Sequence, residues 1–336
     1  MITIPRSLSP NSRTRRGFLA AAALALSLFG CKAKGEGTQG TPGKPAKLHF
    51  AFVTNNSSDF WNIANKGVDK AKADFGIDAD VFRPLKGEVS DQQRFLEDIL
   101  VQNFDGVAIS PIDAEAMTPL LDKVSARMPV VCADSDAPHS KRIAYEGSDN
   151  VEAGRVAGRA AIAALDAAGT KSGKVALFVG RMDMQNSIDR KQGIDETLGK
   201  VSGLEILPIF LDGADRTKAK KNVEDALARY PDLVLMMGIW SYNGPALAGA
   251  TRASSRAKKP AIVTFDEEEE TLKAVEDGLI YATIAQKPFE FGYQAMKALK
   301  DAKDGKPVPK SIDTGLTTVT KATLAPFWDQ LRALKK

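Results

Sequence analysis

The sequence predicts an α/β protein with two doubly wound parallel-sheet lobes and a cleft between them. Three observations predict it. Short apolar runs of strand length alternate with segments whose apolar residues recur at the helical period. That alternation runs through one series and then starts again in a second. Near the end of the chain it breaks, with extended residues at 312–320 where another βα repeat would be due.

In the first series, residues 48–54, 79–82, 106–110 and 129–133 read as strands. Residues 60–75, 90–103 and 114–127 read as the helices between them. In 60–75, Phe60, Ile63, Ala64, Gly67, Val68 and Ala71 share one face, so that helix is amphipathic. Residues 142–147 add a strand, and the Ala-rich stretch 151–168 a long helix. The second series has strands at 174–179, 204–210, 233–237 and 261–264, with helices at 187–200, 217–229 and 245–257. Residues 278–285 read as a strand and 289–303 as a helix. A Gly-Lys-Pro-Val-Pro turn follows, then the extended stretch 312–320 and a closing helix at 321–334.

The first 30 residues stand outside this pattern. Arg6, Arg13, Arg15 and Arg16 precede an apolar run from Phe18 to Phe29 that is too short to span a bilayer. Residues 1–30 therefore read as a signal peptide of twin-arginine-like or Sec type, the pair Arg15-Arg16 suiting the former. Gly30-Cys31 directly after the run resembles a bacterial lipobox, which implies a mature chain that begins at a lipidated Cys31. Residues 31–47 are rich in Gly, Lys, Thr and Pro and read as a flexible tether.

Composition sets bounds on function. The chain has 336 residues, 43% hydrophobic and 26% charged, ordinary for a soluble globular protein. Its formal charge is +4, and removing the four arginines of residues 1–30 leaves the remainder formally neutral. The basic balance is thus no sign of nucleic-acid binding. Gly35-Glu36-Gly37-Thr38-Gln39-Gly40 matches a dinucleotide fingerprint in letters only, since no strand precedes it and no helix follows. His49 and His139 lie far apart without Cys or carboxylate at ligand spacing, so no metal and no cofactor is expected. Cys132 sits in the apolar run Val130-Val131-Cys132-Ala133 and reads as a buried thiol.

Polar and aromatic side chains recur at strand ends. Thr54-Asn55-Asn56-Ser57-Ser58-Asp59-Phe60-Trp61 follows the first strand. Asp134 and Ser135, Trp240 and Asn243, Asp266 and Gln286 follow later strands, and Asn186 and Arg190 open a helix. In a doubly wound sheet these carboxyl ends share one edge, where ligands lie. Carboxylates, one guanidinium, amides and aromatic rings together suit an uncharged, polyhydroxylated ligand. Each residue also has a plainer reading. Ser58, Asp59, Asp134 or Asp266 could cap a helix. Arg190 could pair on a helix surface with Asp189 or Glu196. Most of the acidic run 266–270 could be a solvated first helical turn.

Four stretches carry a resemblance to a known family. They are Phe104-Asp105-Gly106-Val107-Ala108-Ile109-Ser110-Pro111; Gly147-Ser148-Asp149-Asn150 with Gly154 and Gly158; Asn186-Ser187-Ile188-Asp189-Arg190-Lys191-Gln192-Gly193; and Ala282-Thr283-Ile284-Ala285-Gln286-Lys287-Pro288. Over about residues 48–320 the chain resembles the periplasmic sugar-binding proteins of ABC transporters, ribose-binding type. The resemblance implies the type I periplasmic-binding-protein fold, with residues 48–147 plus 287–315 in one lobe and 148–286 plus 316–336 in the other. It implies crossings near Ser148, Gln286 and residues 313–318, and a cleft that closes on ligand.

By the same resemblance Phe60 and Trp61 stack on the sugar ring, and Asp134, Arg190, Asp266 and Gln286 bond its hydroxyls, with Asn186 and either Trp240 or Asn243 beside them. Ser135 and Ile188 stand where ribose binders carry other residues, Trp61 replaces a Phe, and the loop 238–245 differs, so the sugar need not be ribose. The implied protein is a non-catalytic, monomeric, membrane-anchored lipoprotein of the periplasm or cell envelope. It captures a pentose, hexose or polyol and delivers it to an ABC permease. The other readings are a receptor that presents its ligand to a sensor kinase or chemoreceptor, or an enzyme or regulator on the same fold. The sequence offers no nucleophile–base pair and no helix-turn-helix for the last two.

Overall fold

The computed structural model describes residues 46–335 apart from Lys86. Residues 1–30, the expected lipidation site Cys31 and most of the expected tether lie outside the described residues. The first series runs β1 (His49–Val53), α1 (Phe60–Phe75), β2 (Asp78–Phe82), α2 (Val89–Val101), β3 (Gly106–Ile109), α3 (Ala114–Ser125), β4 (Val130–Ala133) and β5 (Ala144–Gly147). The second runs α4 (Asn150–Ala167), β6 (Gly173–Val179), α5 (Gln185–Leu198), β7 (Leu204–Ile206), β8 (Phe210–Leu211), α6 (Arg216–Arg229), β9 (Leu233–Gly238), α7 (Asn243–Ala253), β10 (Ala261–Phe265), α8 (Glu269–Glu276) and β11 (Ala282–Ala285). The chain ends with α9 (Pro288–Lys303), β12 (Ser311–Asp313), β13 (Thr317–Thr320) and α10 (Leu324–Lys335).

Two sheets result. One has the order β12-β5-β4-β3-β1-β2, all parallel. The other has the order β13-β11-β10-β9-β6-β7, with β8 beside β6 and only β13 antiparallel. The chain passes between them three times: after β5, after β11, and between β12 and β13. This is the two-lobed architecture that the alternation predicts, and the type I periplasmic-binding-protein fold that the resemblance implies. The one expected strand at 204–210 is split, because Pro208 has no N–H to give to a ladder.

Each sheet is buried on both faces, which is why its strands read as continuous apolar runs. Phe50 and Phe52 of β1 face α1 and α9, while Ala51 and Val53 face α2 and α3. In the second sheet Val175, Leu177 and Val179 face α4 and α5, and Ala176 and Phe178 face α6, α7 and α8. Cys132 lies in the core, where burial pushes its thiol up to about 12. Two apolar residues of first-lobe helices cross between lobes: Ile63 of α1 belongs to the core cluster of the second lobe, as does Leu331 of α10, and Phe289 of α9 packs against it together with Phe327 and Trp328.

Close packing of α4 on α5 positions the hinge. A Cβ on Gly154 would lie 2.1 Å from the carbonyl oxygen of Arg190, and one on Gly193 would lie 2.0 Å from that of Val151. Only hydrogen at both positions lets the backbones approach so closely. That approach brings the Arg190 side chain against Asn150 at the first crossing.

Candidate ligand-binding site

The carboxyl ends of both sheets face one cavity. It is lined by Asn55, Asn56, Ser58, Phe60, Trp61 and Asp134 from the first lobe, and by Asn186, Arg190, Trp240, Ser241, Tyr242, Asp266 and Gln286 from the second. Parallel strands put every one of these loops on the same edge, so residues more than 200 positions apart converge.

In the first lobe the loop after β1 folds around Asn55. Its Oδ1 accepts from Trp61 Nε1 at 3.0 Å and from Asn56 Nδ2 at 2.7 Å. Its Nδ2 donates to Ser110 Oγ at 3.0 Å and to Asp134 Oδ2 at 3.2 Å. Ser110 Oγ donates to the same Asp134 oxygen at 2.8 Å, and Asn186 Nδ2 reaches it across the cleft at 3.5 Å. Three donors thus gather on Oδ2, and among the described residues none reaches Oδ1.

In the second lobe Arg190 is 1% exposed. Its Nε donates to Asn150 Oδ1 at 2.8 Å and its Nη1 to the Ile239 carbonyl at 2.9 Å. Its guanidinium carbon sits 4.5 Å from the centre of the Phe265 ring. Nη2 is buried without a partner. Gln286 Nε2 donates to Asp266 Oδ1 at 3.0 Å, and its own Oε1 is likewise buried without a partner. The cavity therefore presents a spare guanidinium donor, a spare amide acceptor and two carboxylates whose second oxygens take no protein hydrogen.

Both carboxylates sit in a low-dielectric setting. Burial pushes Asp134 up, against the pull of the Arg190 charge and of the hydrogen bonds from Ser110, Asn186 and Asn55. Burial pushes Asp266 up to about 6, again opposed by Arg190 and by the Gln286 hydrogen bond, while the Asp134 charge adds to the rise.

Eight of the nine residues expected at a ligand line this cavity: Phe60, Trp61, Asp134, Asn186, Arg190, Trp240, Asp266 and Gln286. Asn243 does not. Its Oδ1 accepts from the Trp240 backbone N–H at 3.0 Å and its Nδ2 donates to Asp212 at 3.1 Å, so both ends of the amide are used behind the wall. Of the pair Trp240 and Asn243, the structure brings Trp240 to the cavity. Asp266 is not a helix cap: it has φ +65°, and Glu268 holds the N-cap position of α8. Arg190 forms no surface pair, since Asp189 accepts from Gln185 and Glu196 from Arg155. Ser241 and Tyr242 also line the cavity; a hydroxyl and a phenol in an aromatic loop gave no separate signal. Asn55, Asn56 and Ser58 belong to the stretch whose polar side chains were expected to face hydroxyls. No group of three or more His, Cys, Asp or Glu among the described residues could hold a metal ion.

Known proteins share this chain's pattern. The D-allose-binding periplasmic protein of Escherichia coli K12 is 27% identical over 294 residues, which cover 81% of this chain and 93% of that protein. The ribose import binding protein of Bacillus subtilis 168 is 28% identical over 271 residues, 80% and 86% of the two chains. Among solved structures, an ABC transporter solute-binding protein from Burkholderia graminis in complex with D-arabinose superimposes with a TM-score of 0.78 at 28% identity, covering 84% of this chain and 98% of that one. The sequence pattern of the periplasmic binding protein domain matches residues 50–307, so the chain belongs to the periplasmic binding protein domain family.

Proposed function

We propose that this protein is a non-catalytic, extracytoplasmic solute-binding protein that captures a monosaccharide or similar polyol between its lobes and delivers it to an ABC importer. One observation carries the reading. Arg190 Nη2 and Gln286 Oε1 are buried, unpartnered and of opposite hydrogen-bonding sense, beside the Asp134 and Asp266 carboxylates. A vicinal diol satisfies such a set, because each hydroxyl both donates and accepts. Phe60, Trp61, Trp240 and Tyr242 supply the aromatic faces and edges against which the C–H surface of a sugar packs. The relatives whose names specify D-allose and ribose, and the neighbour solved with D-arabinose, support the same ligand class.

The N-terminal signal, the lipid on Cys31, the periplasmic or cell-envelope location and the monomeric state complete the proposal. A thermal-shift screen over pentoses, hexoses and sugar alcohols, followed by calorimetry, tests it. At a concentration 100 times Kd the ligand should add about 2.7 kcal/mol of stability. If no member of the panel raises the melting temperature, the sugar reading fails.

A further inference from the structure

We infer that Asp212, which does not itself line the cavity, holds the aromatic wall of the second lobe in place and is a positioning residue for ligand selectivity. The inference rests on the sugar-binding reading of the cavity. Asp212 follows β8 and is 2% exposed. No cation pairs with it among the described residues; three hydrogen-bond donors converge on it instead. Tyr242 Oη and the Ala214 N–H, at 2.9 Å, donate to Oδ1, and Asn243 Nδ2 donates to Oδ2 at 3.1 Å. Asn243 passes the restraint on, accepting from the Trp240 N–H at 3.0 Å. One carboxylate thus fixes the loop 240–243 at both ends.

The two rings that this loop carries are packed without slack. Trp240 and Tyr242 meet edge to face with centroids 6.0 Å apart. Trp240 Nε1 donates to Ser187 Oγ at 2.8 Å, next to Asn186 of the site. A Cβ on Gly180 would lie 2.1 Å from Trp240 Cζ3 and 2.6 Å from Tyr242 Oη, so the rings fill the space where a side chain would stand. The Gly213 N–H donates to the Gly180 carbonyl at 2.8 Å, which ties the residue after Asp212 to the same spot. Arg216 lies over the Tyr242 ring at 5.6 Å and is itself held by Glu268.

A carboxylate kept out of water with no cation paired to it, the Lys218 charge acting only from a distance, is retained only where its hydrogen bonds are good and charge-assisted. Here those bonds go to the wall of the cavity and not to the ligand. Loss of the carboxylate would free Tyr242, Asn243 and hence Trp240 to move, and change the shape of the cavity that Phe60 and Trp61 also line.

The test uses Asp212→Ala, Asp212→Asn and Tyr242→Phe, with D-ribose, D-allose, D-arabinose and D-glucose as calorimetric probes. Asp212→Ala should bind the best sugar about 10-fold or more weakly and change the rank order of the four. Asp212→Asn still accepts from Tyr242 and Ala214 but sets an NH2 against Asn243 Nδ2, so it should keep the Tyr242 restraint, lose the one that runs through Asn243 to Trp240, and fall between wild type and Asp212→Ala in affinity. A second readout needs no ligand. In a Trp61→Phe, Trp328→Phe background Trp240 is the only indole, and Asp212→Ala should shift its emission to the red and increase its quenching by iodide. If wild-type protein binds none of the sugars, the functional reading fails, and the Trp240 emission still decides the wall. Unchanged emission and quenching, or an unchanged sugar order in Asp212→Ala, overturn the inference. Should Asp212→Ala fail to fold, Tyr242→Phe carries both readouts, and wild-type behaviour in it is the overturning result.

Discussion

Asp134 and Asp266 are counterparts in the two lobes. Each follows the strand at the same place in its sheet, β4 and β10, and each is held with φ near +65°. Each donates its N–H at 3.0 Å to a carbonyl of the next strand, Glu146 and Ile284 respectively. A left-handed backbone is uncommon outside glycine, although Asp tolerates it better than most. The strain, about 1 kcal/mol or more per residue, is of the kind found at binding sites. It takes both carboxylates off the line of their strands, and both feel the one charge of Arg190.

Asp266→Asn and Asp134→Asn should each weaken sugar binding by about 10- to 150-fold, the range for losing a charge-assisted hydrogen bond. Calorimetry on the folded variants measures it. Wild-type affinity in Asp266→Asn would remove that residue from the site.

Affinity should also fall on acidification. Asp266 releases its proton only near pH 6, and a protonated carboxyl loses an acceptor position. Titrating the dissociation constant from pH 7.5 to 5 should show weakening that begins near pH 6. Asp266→Asn should flatten that dependence.

Stability of the unliganded protein should move the other way. Glu146 is fully buried, neither carboxylate oxygen has a partner, and burial with Asp134 and Glu290 nearby pushes it well above the ordinary value. Asp266 is raised too. Between their unfolded and folded pKa values the folded chain binds more protons than the unfolded one. These two groups therefore make stability fall as pH rises from about 4 through 6 and beyond. Glu146→Gln, which cannot ionise, should raise the melting temperature at pH 7.5 by about 2 °C or more. The gain should shrink toward pH 4.5. A variant with no gain at pH 7.5 contradicts this.

The contact between Ile63 and the α10 cluster joins the lobes in addition to the three crossings. Ile63→Ala should destabilise the protein by about 2–4 kcal/mol in urea denaturation. It should also favour a more open form. Small-angle scattering should then give a larger radius of gyration for the unliganded variant than for wild type, and the two should converge at saturating sugar.

Cys31→Ser should release the mature protein from the membrane fraction after a salt wash, since a lipid anchor of more than one chain is what would hold it there. Retention of the variant would exclude the anchor.

The alternation of strand and helix, its restart and its break at residues 312–320 were legible in the sequence because each element reports its own burial through a local period. Phe50 to Val53 announce a strand buried on both faces, and Ala64, Val68 and Ala71 a helix face buried against that strand's lobe. Strand-end residues such as Asp134, Asp266 and Gln286 were legible as site candidates for the same reason: the sheet type alone sends them to one edge. Three things depended on tertiary contacts. Asn243 points away from the cavity because Asp212, 31 residues earlier, takes its amide. Asp266 stands free of α8 because its backbone adopts a left-handed turn that no local pattern encodes. Asp212 itself left no trace in the sequence, since an acid after a short strand reads as solvated until Tyr242 and Asn243 are seen to close over it. Local order follows from spacing along the chain, whereas the partners of a buried polar group depend on which distant residues the fold brings within hydrogen-bonding reach.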